Sequence, residues 1–156
     1  LQISRLRSEG VLLMPYAVTE VDGQKYADEI NRFNGLFPDD FLPLKPKHLD
    51  KGYWWLVHHG VQLVGFAGMV PFDPFPRVGY LKRAAVLKEH RGKGLQRQLM
   101  EAREERARAS TDWTHFVSEC SLENVVSANN FIRAGFLLCE AERPWEKETL
   151  FWIKKL

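Results

Sequence analysis

The sequence predicts an α+β domain whose central sheet is mostly antiparallel but contains one parallel pair of neighbouring strands. Three observations point there. Strand-like runs from Tyr53 to His58, Val61 to Val70 and Arg77 to Leu87 are separated by short turn-rich connections, as in an antiparallel meander. Helix-periodic and strand-like segments then alternate from Leu95 to Phe136, which makes one βαβ crossover and therefore one parallel pair. The chain of 156 residues, 45% hydrophobic and 27% charged, has the size and composition of one soluble globular domain, residues 1–156.

The elements follow in order. Ile3 to Val18 is apolar with a charged break at Arg7 to Gly10, and reads as a first strand or two short pieces. Gln24 to Asn34 reads as a helix because Tyr26, Ile30 and Phe33 recur at three- to four-residue spacing, with Asn34-Gly35 to end it. Phe37 to Asp50 holds three prolines and a short helix from Pro46 to Leu49; its apolar Phe37, Phe41 and Leu42 suit a packed cover. After the meander, whose last turn is the Pro-rich Pro71 to Pro76, comes a helix from Leu95 to Ala109 with Leu95, Leu99 and Ala102 on one face. Trp113 to Cys120 is a strand and Asn124 to Ala134 a helix stopped by Gly135. Phe136 to Glu140 and Leu150 to Lys154 are closing strands, with Pro144-Trp145 in their connection.

Several function classes are set aside. A net charge of +2 is too small for a nucleic-acid binder, and the basic run Arg97 to Arg108 is balanced by Glu101, Glu104 and Glu105. No apolar run approaches the ~18 residues needed to span a membrane. No signal peptide is visible, because three charged side chains fall within Leu1 to Gly10 before any apolar run. Cys120 and Cys139 fall in strands and match no metal or redox spacing, so they read as reduced core thiols in a cytoplasmic protein. No metal site is expected.

The stretch Val86 to Met100 carries the chemistry. A strand ending in Ala84, Ala85, Val86 and Leu87 runs into Arg91-Gly92-Lys93-Gly94, and a helix starts at Leu95. Two glycines let the backbone turn tightly and approach a ligand. Free N–H groups and the positive end of the helix dipole then make an anion site, with Arg91 and Lys93 beside it. The same pattern also suits an ordinary strand–helix connection. It is neither the common phosphate loop, which needs Gly-Lys-Ser/Thr, nor the dinucleotide fingerprint.

Arg91-Gly92-Lys93-Gly94-Leu95-Gln96 resembles the Gln/Arg-x-x-Gly-x-Gly/Ala motif of the GCN5-related N-acetyltransferase (GNAT) family. Downstream, Asn124-Val-Val-Ser-Ala-Asn-Asn-Phe131-Ile-Arg-Ala-Gly135-Phe136 resembles that family's second signature, and the element order matches its acyl-CoA N-acyltransferase fold over nearly the whole chain. The resemblance implies acetyl-CoA as acetyl donor. Its pyrophosphate would lie on the amides of Arg91, Gly92, Lys93, Gly94, Leu95 and Gln96. Its pantetheine arm would lie like an extra strand beside Ala84 to Leu87, where parallel strands four and five splay apart. An N–H of Ala85 or Val86 would polarise the thioester carbonyl. Asn124, Asn130 and Phe131 would face the cofactor from the second helix, although Asn124 also suits an N-cap.

Two positions depart from the family pattern. Gln96 stands where Gly or Ala is usual, and Phe131 where many members carry a Tyr that protonates the leaving thiolate. A thiol of pKa ~8.5 leaves tolerably as an anion near pH 7, whereas an amine of pKa ~10.4 is neutral about once in 2,500, a deficit of about 4.6 kcal/mol. A base therefore matters more than an acid. Glu119, five positions before Asn124, is the candidate; it also suits a paired strand carboxylate. Strand alternation groups it with His115 and Val117. His58, His59 and Asp73 are alternatives, and Trp54, Trp55, Phe72 and Phe75 suit either an acceptor wall or core. The expected activity is N-acetyl transfer to a primary amine, small-molecule or peptide, by direct attack in a ternary complex. The alternative is a non-catalytic acyl-CoA-binding or protein-interaction domain of the same fold. Neither nucleic acid nor membrane is an expected partner, and a homodimer is left open.

Overall fold

The computed structural model describes residues 15–73, 75–141 and 148–156. Most of the first predicted strand, up to Met14, and the Pro144-Trp145 connection lie outside the described residues. Seven strands form one sheet: β1 (Tyr16–Val21), β2 (Tyr53–His59), β3 (Gln62–Pro71), β4 (Val78–Val86), β5 (His115–Ser121), β6 (Leu137–Cys139) and β7 (Thr149–Lys155). Their order is β1-β2-β3-β4-β5-β7-β6. The helices are α1 (Ala27–Asn34), α2 (Pro46–Lys51), α3 (Leu95–Ser110) and α4 (Val125–Arg133). From α1 onward each element falls within a few residues of its predicted bounds, and β1 runs three residues past the predicted end at Val18. All neighbouring strands are antiparallel except β4 and β5, as the crossover through α3 requires.

The sheet is covered on both faces, and the pleat sorts its side chains between them. Trp54 and Leu56 join Phe66 and Ala85 under Ile30 and Phe33 of α1 and Leu49 of α2. Trp55 and Val57 point the other way, with Ala67, Met69, Leu81 and Val86 under Leu95, Leu99 and Met100 of α3. Burial on both faces explains why β2 and β3 read as near-continuous apolar runs. The 37–45 segment is a packed cover, as expected: Phe33, Phe37, Phe41 and Phe66 form a chain of ring contacts 5.1–6.0 Å apart. Leu42 is the exception and stays exposed.

Two irregularities shape β4. Its register against β3 steps between Gly68 and Met69, which face Arg83 and Leu81, so Lys82 is the extra residue of a bulge. The fully buried Arg103 of α3 reaches that bulge. Its guanidinium donates to the carbonyls of Leu99 (3.1 Å), Arg83 (3.3 Å) and Gly68 (3.4 Å). Burial lowers its pKa to about 10, so it remains charged at neutral pH. The second irregularity is the pairing with β5, which covers only Val78–His115, Gly79–Phe116 and Tyr80–Val117. Trp113 closes this paired end: a Cβ on Gly79 would lie 2.3 Å from its ring.

Gly79→Ala is therefore expected to destabilise the protein by about 1–3 kcal/mol, the usual cost of overpacking a filled site. A urea or thermal unfolding curve measures it; an unchanged midpoint would show that Trp113 does not hold the paired end.

Candidate active site

The Gly-rich turn has the backbone that its sequence asks for. Gly92 and Gly94 have φ of +74° and +77°, the left-handed region that disfavours side chains. Gly94 is the N-cap of α3, so no side chain accepts from the first amides of a helix of 16 residues, and the first turn carries no acid. Arg91, Gly92, Lys93 and Gly94 are exposed, whereas Leu95 is buried in the core and pins the helix start to the sheet. An exposed, uncapped, cation-flanked helix start fits a phosphate group. Gln96, in the first turn, is half-buried.

The turn lies at the end of the cleft between β4 and β5. Beyond Tyr80 and Val117 the two strands no longer pair. Ser118 bridges the start of the opening, its hydroxyl donating to the Leu81 carbonyl at 3.2 Å. At the other end Arg91 Nε donates to the Val86 carbonyl at 3.0 Å. The Leu87 N–H is bonded to Val64 of β3 at 2.8 Å. Ladder alternation then directs the backbone groups of Ala84 and Val86 into the cleft and those of Ala85 to β3. An extended chain laid in the cleft would meet Ala84 and Val86 as a strand meets its neighbour.

On the α1/α2 side of the sheet the cleft opens beside a polar group. Glu119 Oε1 accepts a 2.9 Å hydrogen bond from the Tyr80 hydroxyl. Burial and the neighbouring carboxylate raise the Tyr80 pKa far above its usual value, so it stays a phenol and a donor. Phe72 stacks on both Tyr80 and Phe75, at 5.8 and 5.9 Å between ring centres. The Lys82 ammonium sits 5.5 Å from the centre of the Tyr80 ring. Arg83 is fully engaged: it donates to Asn34 Oδ1, the Leu42 carbonyl and the Lys82 carbonyl, and lies over Phe41. It ties the 37–45 cover to the bulge. His48 of α2 accepts from the Lys45 N–H through Nδ1. Burial, then the charges of Lys82, Lys47, Arg83 and Lys45, lower its pKa to about 4.

The other predicted residues divide. Asn124 caps α4, its side chain accepting from the Ser127 N–H at 3.0 Å, and is exposed. Asn130 is half-buried. Phe131 is a core residue, stacked on Trp152 at 5.5 Å and edge-on to Phe136 at 5.1 Å. Trp54 and Trp55 are also core. His59 lies at the far end of β2, stacked on Tyr16 and edge-on to His90. Cys120 and Cys139 are unpaired thiols whose pKa values burial raises, so neither is an activated nucleophile. Sequence reasoning missed Tyr80, Lys82 and His48. Alternation along Tyr80 and Lys82 was readable, but the bulge that brings Lys82 and Arg83 to one face was not.

Residues 23–136, which hold the turn, the cleft and all of α4, match the model of the acetyltransferase (GNAT) family. The chain belongs to the GNAT family. The fold of this GNAT chain is similar to an acetyltransferase of the GNAT family from Streptococcus pneumoniae, at 16% identity and a TM-score of 0.73 over 91% of this chain and 99% of that one. A Staphylococcus aureus acetyltransferase of the GNAT family gives 14% identity and a TM-score of 0.73 over 90% and 99%. NAA60 of Arabidopsis thaliana, solved with a bisubstrate analogue, gives 9% and 0.70 over 90% and 98%. No curated protein sequence matches it significantly.

The depressed His48 pKa of this GNAT domain has a pH consequence. The folded form resists a proton that the unfolded chain accepts at pH ~6.5, so His48 erodes stability as pH falls from 6.5 towards 4. His48→Gln, which cannot be protonated, should lose less melting temperature than the parent between pH 7 and pH 5. Parallel losses would show that His48 does not titrate this way.

Proposed function

We propose that this GNAT domain moves an acetyl group from acetyl-CoA to a primary amine by direct attack in a ternary complex. The observation that carries the reading is the cleft: β4 leaves β5 after Tyr80, and the open edge ends at an uncapped helix start. Acetyl-CoA supplies an acyl group activated as a thioester with a thiol leaving group. The amides from Gly92 to Gln96, with Arg91 and Lys93, would hold its pyrophosphate. Ala84 and Val86 would bond the pantetheine arm, and of the Ala85 and Val86 amides the latter is directed at the cleft to polarise a carbonyl. Asn124 and Asn130 flank the arm from α4, and Phe131 supports that helix from the core.

Glu119 is assigned the proton of the attacking ammonium. Tyr80 donates to one carboxylate oxygen and so fixes the group's orientation at the mouth of the cleft. No side chain is assigned to the leaving thiol: Phe131 has no proton to give, and a thiol of pKa ~8.5 departs as its anion. The reaction is placed in the cytoplasm, where unpaired Cys120 and Cys139 stay reduced. No helix among the described residues is long and apolar enough to cross a membrane.

Saturating acetyl-CoA should raise the melting temperature by several degrees, since about 100 times Kd contributes about 2.7 kcal/mol. An unmoved melting curve would overturn the reading. Glu119→Gln should lower kcat about 10²-fold, the lower range for general-base catalysis, with the acetyl-CoA affinity unchanged. An unchanged kcat from pH 6 to 9 would remove Glu119 from the mechanism.

A further inference from the structure

Lys82 is a half-buried ammonium with no structural task. It makes no hydrogen bond or ion pair among the described residues; its one contact of note is the Tyr80 ring. Among the described residues, the other cations that reach the bulge are used or exposed. Arg83 is spent on Asn34, Leu42 and the Lys82 carbonyl. Lys45 and Lys47 are exposed on α2 and the segment before it. Burial is the main cause that lowers the Lys82 pKa, to about 8. Of the charges on described residues that act on it, Arg83, Lys45 and Lys47 push the same way, and Glu119 opposes them.

A desolvated, partly repelled ammonium is costly unless an anion completes it. Its place says where that anion comes from. Its approach to the Tyr80 ring, 5.5 Å to the centre, puts Lys82 on the same side of the sheet as Tyr80 and Glu119, at the mouth of the cleft. One carboxylate and one ammonium on either side of a phenol form the electrostatic complement of a zwitterion. The surrounding excess of positive charge favours a ligand with at least one carboxylate. Resting on the acetyl-transfer reading above, we propose that the acceptor amine itself carries a carboxylate, as a free amino acid does, and that Lys82 binds that carboxylate while Glu119 faces the amine. Lys82 is thus a specificity determinant and Glu119 the base.

The test compares L-amino acids with their carboxamides. The two differ by the carboxylate, and the amide's amine is the less basic, so chemistry alone favours the amide. Two readouts are taken with the full chain: acetylation by thiol release from acetyl-CoA, and calorimetric binding of each amine to the CoA-loaded protein, which needs no turnover. The proposal expects acids to be preferred over amides at least tenfold in KM and in Kd. Lys82→Met should abolish that preference with the acetyl-CoA affinity unchanged, and Lys82→Arg should retain part of it. Equal or better use of amides by the parent protein, or a preference that survives Lys82→Met, overturns it. The acetyl-transfer reading fails separately, by the absence of any acetyl-CoA binding in the melting experiment.

Discussion

β4 pairs with β3 from Gly79 to Val86 but with β5 only from Val78 to Tyr80, and the site depends on that asymmetry. A parallel pair that stayed in register would bury the Ala84 and Val86 amides in a ladder. The pair parts because β4 bulges at Lys82, which adds local twist. α3 supports the distortion through Arg103, whose buried guanidinium satisfies carbonyls on the bulged β4 and on its neighbour β3. Orphaned carbonyls there would cost about 1–3 kcal/mol each. The helix that starts at the anion-binding turn therefore also braces the bulge that opens the cleft.

The split lets one sheet do two jobs from two sides. Behind it, α3 and α4 bury the aromatic core and present the turn. In front, α1, α2 and the 37–45 cover frame Tyr80, Lys82 and Glu119. The cleft joins them, so a donor lying along β4 would offer its reacting end to an acceptor arriving from the α1/α2 side. The two sides also differ in charge. The turn is cationic and exposed, suited to a phosphate, whereas at the front the Glu119 carboxylate is set against Lys82, Arg83, Lys45 and Lys47. Direct transfer requires both ligands at once, and neither cysteine offers an alternative nucleophile.

Much of the fold was legible because it rests on local patterns. Apolar runs bounded by turn residues mark β2 to β4, alternation marks β5, 3.6-residue spacing marks α1 and α3, and glycines at +74°, +77° and +85° stand at the turn and after α4. The family signatures likewise lie in contiguous stretches. What escaped was non-local. Tyr80, which donates to Glu119, is 39 residues away from it, and no spacing rule links them. The bulge was hidden because Lys82-Arg83 reads as ordinary alternation. Gly68, the one hint of irregularity, is a glycine because the Trp54 ring would lie 2.7 Å from a Cβ there. Phe131 was legible as a departure from the motif, but only its packing against Trp152 and Phe136 explains it as core.

The central claim is that the open edge of β4 and the amides of the turn are one binding surface. Residue-resolved hydrogen exchange, with and without acetyl-CoA, tests it most directly. The account predicts new protection at Ala84, Val86 and Gly92 to Gln96. It predicts little change at Leu87, whose N–H is already bonded to Val64. Protection confined to the turn, or absent from both stretches, would contradict it.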